Sequence, residues 1–181
     1  MSRIFASLAS FALLLMAVTL LLGLYVGDLH QPHSMRIDDL GMVHRMFGIA
    51  SALVVVLVNS IAVTYFIGTS RWCREVVETY SLDTQLIRRS AVLKRRAFPW
   101  AVSAMLVIVA VSALGAAADP ATRHAWTVDW VYPHLIGAML GFAFIAWAFW
   151  QEWLRIREHH AVINEILREV RRIRQEQGLE V

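Results

Sequence analysis

The stretch MVHRMFGIASALVVVLVNSIAVTYFI, residues 42–67, decides the fold. It opens on a basic pair, His44-Arg45, holds one amide, Asn59, and is otherwise apolar, small or hydroxyl-bearing. That length exceeds the about 20 residues a helix needs to cross the hydrocarbon layer. Three more runs have the same character: Ile4–Val26, Phe98–Ala118 and Val131–Trp153. Lipid offers no partner to a free backbone N–H or C=O, so each run is read as a helix that satisfies its own backbone. Period-two alternation is absent, which argues against a membrane β-barrel.

Composition agrees. The 181 residues are 58% hydrophobic and 17% charged, against about 25% charged in ordinary soluble domains. Basic residues predict the orientation. Of 17 Lys and Arg, 14 fall before the first run, between the second and third, or after the fourth. The positive-inside rule puts those segments and both termini in the cytoplasm, in the plasma (bacterial or archaeal inner) membrane. The basic pI is thus a topology signal, and nucleic-acid binding is not expected. The first run is too long for a signal-peptide core and lacks a small-residue cleavage site, so it is expected to be retained. One cysteine, Cys73, rules out an intrachain disulfide or a CxxC site. No nucleotide loop, catalytic triad or HExxH motif is present.

The expected fold is all-α: an antiparallel four-helix membrane bundle over residues 1–153, with an amphipathic helical tail over 154–181. Short outer loops, Gly27–Gly41 and Asp119–Trp130, force neighbouring spans to run antiparallel. The two hairpins match in plan, each with an acid at its exit (Asp28, Asp119) and a histidine early in the returning span (His44, His134). The segment Thr69–Ala97 reads as helices lying at the interface. Pro99 reads as the first turn of span three. The tail places Ile156, Ile163, Ile166, Val170 and Ile173 on one stripe, for packing on that segment or headgroups, or for a partner.

The span histidines carry the chemistry, because ionisable groups inside a span are costly. His44 and His134 start their spans at nearly one depth, so two imidazoles can grip one flat cofactor from both sides. Haem iron takes such axial ligands, and bundle cores are where such sites are built. Gly41, Gly48 and Ser51 share the face of His44; Gly137, Ala138 and Gly141 share that of His134. These small residues predict a slot for a porphyrin, with Arg45 set to pair with a propionate. The competing reading makes the histidines interfacial hydrogen-bonders and Gly137–Gly141 a helix-packing pair. His30, His33 and Met35 in the first outer loop are candidate copper ligands, with solvated loop residues as the alternative. His124 is expected in a loop role, and His159 and His160 as inert tail residues.

The residues around His44, Asp38-Asp39-Leu-Gly41-Met-Val-His44-Arg45-Met-Phe-Gly48-Ile-Ala50, resemble the His-Arg signature that opens the second helix in each half of haem A synthase, a cytochrome oxidase assembly family. TLLLGLYVG, residues 19–27, is similar to that family's first-helix ending, and Pro133-His134-Leu-Ile-Gly-Ala-Met-Leu140 resembles its fourth-helix opening. The resemblance covers residues 4–153, one half of a commonly duplicated eight-helix protein. It implies His44 and His134 as axial haem ligands on the outer side and a role in haem A supply to terminal oxidases. It also implies oligomerisation, as for other half-length members. Gly41 stands where the oxidising half has a glutamate, and the loop cysteine pair is missing. The chain therefore looks more like the half that holds haem b, with haem O or A as the other cofactors the family implies and with Asp38 or Asp39 as the acids nearest the missing one. An electron-transferring cytochrome b, linked to quinol or another redox protein, and a haem-free structural subunit are the alternatives.

Overall fold

The structure is a computed structural model and describes residues 1–32 and 34–178. Four helices account for almost all of it: α1 Ser2–Val26, α2 Met35–Thr79, α3 Gln85–Ala118 and α4 Val131–Glu176. Two short 3-10 turns, Pro120–Thr122 and Ala125–Trp130, join α3 to α4. Each helix packs on its sequence neighbours, and α1 closes the ring against α4. All four are long and apolar enough to cross a membrane.

Burial shows why water is an unfit solvent for this surface. In the most hydropathic window of each helix, less than a third of the residues are buried inside the bundle. Leu14, Leu21, Leu53, Leu57, Leu106 and Leu140 all point outwards. An apolar patch of that extent is far beyond what a soluble monomer tolerates. Trp147 and Trp150 of the last span also face outwards.

The helices α2 and α4 have 45 and 46 residues, which at about 1.5 Å per residue is more than twice the hydrocarbon thickness. The excess forms a three-helix stalk. Interfacial helices were expected over Thr69–Ala97; instead α2 runs unbroken to Thr79 and α3 begins at Gln85. Pro99 accordingly lies well inside α3 rather than in its first turn. The tail continues α4 without a break and packs on these extensions. Cys73 and Val77 of α2, Leu86 and Leu93 of α3, and Ile156, Val162 and Ile166 of α4 make the stalk core. Burying these stripes against one another removes more apolar surface from water than laying each singly on headgroups.

The hairpins α1–α2 and α3–α4 repeat each other. In α2 the buried residues Ser51, Val55, Val58 and Asn59 have the same spacing as Gly141, Ile145, Ala148 and Phe149 in α4. The same register carries His44 onto His134. One repeated packing plan thus sets both histidines at one level, at the end of the bundle that bears the hairpin loops.

Candidate functional site

Each imidazole is seated on a glycine of the preceding helix. A Cβ added at Gly23 in α1 would meet the His44 Cε1 at 2.8 Å, and one at Gly115 in α3 would meet the His134 Cε1 at 3.0 Å. Only glycine lets the ring approach so closely. The His44 Nδ1 donates to the Thr19 carbonyl at 3.0 Å. A carbonyl only accepts, so the proton sits on Nδ1 and the Nε2 lone pair stays available, the arrangement by which outer hydrogen bonds set ligand tautomers. The Val111 carbonyl stands in the equivalent place and acts on the His134 ring, but His134 Nδ1 makes no close hydrogen bond among the described residues.

The two rings face each other across the bundle, with centroids 6.3 Å apart and planes inclined at 68°. Imidazoles sharing one metal ion, with metal–nitrogen bonds of about 2 Å, have ring centres roughly 6 Å apart. The donor set matters too. Among the described residues no three His, Cys, Asp or Glu come together as a metal-holding group. A protein-only zinc site needs at least three such ligands. A porphyrin iron needs two, because the macrocycle supplies the rest. On separation and donor count the pair fits haem.

The surroundings depart from the expected slot. Gly41 faces Leu29, Gly137 faces Leu114, and Gly141 faces Val111. Gly48 lies 4.0 Å from the Thr19 methyl when extended by a Cβ. Gly48, Gly137 and Gly141 bring the two helices of each hairpin together, as small residues do in membrane bundles, whereas Gly41 receives the loop residue Leu29. Ala138 is half-buried one turn beyond His134. A flat ring beside the histidines requires the leucine and valine side chains to turn aside. The Arg45 guanidinium, expected to meet a propionate, instead donates to Asp119 at 3.1 Å and clips α2 to the end of α3.

Among the described residues of the first outer loop, no set of copper ligands comes together. His30 Nδ1 is 2.8 Å from the Asp28 carboxylate and its Nε2 2.7 Å from the Thr127 hydroxyl, so both nitrogens are engaged in tying one hairpin loop to the other. The His30 backbone N–H also donates to Asp28, which holds that carboxyl below the usual carboxylate range. Met35 is almost fully exposed, and His33 lies outside the described residues. His124 stacks on Trp126. Asp38 and Asp39 are exposed on the first turn of α2.

Sequence reasoning missed three groups. Gly23 and Gly115 were legible as Leu-Gly pairs close to each outward exit, but only the packed hairpin shows a ring resting on them. His159, expected to be inert in a charged tail, is fully buried in the stalk. The Tyr65 hydroxyl donates to its Nδ1 at 3.3 Å, its Nε2–H donates to Ser90 at 2.9 Å, and Ser90 donates to Ser70 at 3.0 Å. Burial pushes its pKa down to about 4, with a lesser contribution from His160. Cys73, fully buried nearby, has its thiol pushed up by burial. Glu152, also fully buried, escaped notice because it lies at the last turn of an apolar run.

Fold and site together define a class: a four-helix bundle of membrane-spanning dimensions with an imidazole pair at one end and a helical stalk at the other. Comparison of the chain with protein-family models, curated proteins and solved structures finds no match.

Proposed function

We propose that this chain is an integral membrane haem protein, with His44 and His134 as axial ligands near the extracytoplasmic face and both termini and the stalk in the cytoplasm. The observation that carries the reading is the facing imidazole pair, 6.3 Å between ring centres, in a bundle whose described residues form no larger ligand cluster. The haem-A-synthase-like motifs at His44-Arg45 and Pro133-His134 support a role in haem A supply for cytochrome oxidase assembly, and Gly41 in place of the oxidising half's glutamate, with the missing cysteine pair, favours haem b. Bound there, a porphyrin iron supplies one-electron redox chemistry. The chain's own part is to fix the ligands. Thr19 holds the proton on His44 Nδ1, Gly23 and Gly115 set how closely each ring approaches its neighbouring helix, and the Arg45–Asp119 pair holds the hairpins together at that end.

An electron-carrying cytochrome b is the second reading, favoured by Gly41, which stands where the family's oxidising half has a glutamate. The bilayer and a second copy or another membrane subunit are the partners both readings take, with quinol or a redox protein added in the second.

A reduced-minus-oxidised spectrum of the purified protein tests the proposal. A Soret band in the wild type that disappears in His44→Ala and in His134→Ala is the expected result. A band kept by both variants ends the ligand assignment, and no band in the wild type leaves a haem-free subunit. Expression with haem O and mass analysis of the extract then separates the two haem readings. Recovery of haem b alone, with no hydroxylated product, excludes the synthase.

A further inference from the structure

At the stalk-side edge of the apolar zone, Glu152 is fully buried and neither carboxyl oxygen has a hydrogen-bond partner among the described residues. Asn59 of α2 is fully buried as well. Its Nδ2 donates to the Val55 carbonyl, whereas its Oδ1 accepts nothing. Two buried polar side chains with orphan acceptors in one core are uncommon, since buried polar groups almost always find partners. In the register that matches the hairpins, Asn59 is level with Phe149, three residues before Glu152, or about one helical turn along the axis. Helical side chains lean towards the N-terminus, so the long Glu152 side chain leans back towards the level of Asn59.

The surroundings contain nothing to neutralise a carboxylate. The buried residues at that end are Phe5 and Ala9 on α1, Ala62 and Phe66 on α2, and Ala97 and Ala101 on α3. Among the described residues, the titratable groups buried towards that end are Tyr65 and His159, already bound to each other, and Cys73 further into the stalk. Arg3, Lys94 and Arg155 lie on half-exposed or exposed positions. A carboxylate in such a place neutralises rather than stay charged. A neutral carboxyl adds one O–H donor to the two orphan acceptors.

We propose that Glu152 is an intramembrane proton-binding site, loaded from the stalk side, whose O–H donates to Asn59 Oδ1. Acids inside membrane bundles mark proton pathways as a class, and Glu152 lies at the stalk end of the last apolar run, far from the hairpin-loop end. The proposal rests on the membrane placement and not on the haem, so a preparation without a Soret band can still pass its test.

The full-length protein in lipid nanodiscs is treated with dicyclohexylcarbodiimide, a lipid-soluble reagent that requires a protonated carboxyl. The carboxyl O–H adds across one C=N bond: oxygen bonds to the central carbon, the proton goes to nitrogen, and rearrangement leaves a stable N-acylurea heavier by one reagent. Peptide mass analysis is expected to find Glu152 modified at neutral pH, unmodified by a water-soluble carbodiimide, and unprotected by sodium ions. An unmodified Glu152, or protection by sodium, overturns the proton assignment. In the infrared, a protonated carboxyl C=O band is expected in the wild type and absent from Glu152→Gln. Asn59→Val should shift it to higher frequency as the hydrogen bond is lost; an unshifted band overturns Asn59 as the acceptor.

Discussion

The first hairpin holds its histidine with a close hydrogen bond, whereas the second relies on packing and a looser approach to a backbone carbonyl. In α1–α2, Thr19 accepts from His44 through its carbonyl while its hydroxyl meets that of Ser51 at 3.0 Å. In α3–α4 the equivalent places hold Val111 and Gly141, where the valine side chain lies against the bare glycine, and His134 Nδ1 has no close hydrogen-bond partner among the described residues. The glycine seat is common to both. A repeated backbone plan therefore brings the rings together, and the polar detail decides how firmly each is aimed.

Four measurements can break or sharpen this comparison. The largest effect is expected at the shared feature. Gly23→Val and Gly115→Val push side-chain atoms into the rings, and overpacking of this kind costs about 1–3 kcal/mol, so under the proposed haem reading binding should weaken roughly 5- to 150-fold. Normal haem content in both variants means the seats do not position the ligands.

Next is the stalk, where burial rather than a ligand site governs a histidine. His159 has its pKa pushed down to about 4, against an ordinary 6.5. Between those values the unfolded chain binds more protons than the folded one, so stability is complete above about 6.5 and is lost as pH falls towards 4, by up to about 3 kcal/mol. Thermal unfolding should show a falling Tm from pH 7 to pH 5, and His159→Gln should flatten that slope. An unchanged slope removes His159 as its source.

A smaller effect is expected where the hairpins meet. Arg45 and Asp119 are both partly exposed, and such pairs contribute at most about 1 kcal/mol. A double-mutant cycle with Arg45→Gln and Asp119→Asn should read a coupling of that size, larger at low salt; zero coupling shows the clip to be incidental.

The smallest belongs to the difference itself. Thr19→Val makes the first hairpin resemble the second. It removes both hydrogen bonds of the hydroxyl, to the Leu15 carbonyl and to Ser51, of which the one between helices is worth about 0.6 kcal/mol on average, and leaves the backbone carbonyl bond to His44 in place. Stability should change by that order with no change in the absorption spectrum. A shifted spectrum would make the hydroxyl part of the ligand's support.

The sequence alone determined four apolar helices, their antiparallel order and the common depth of His44 and His134. These are legible because hydropathy, span length and residue spacing are local properties of a helix whose backbone satisfies itself. The orientation and the haem were expectations of the same reading, and they stand as proposals. Tertiary structure alone decided the rest: that the rings face each other, that Gly23 and Gly115 seat them, that Arg45 is taken by Asp119, and that Glu152 and His159 are buried. It also merged the expected interfacial helices and tail into a stalk. Each depends on which faces of separate helices meet, and an apolar stripe does not name its partner until the helices are packed.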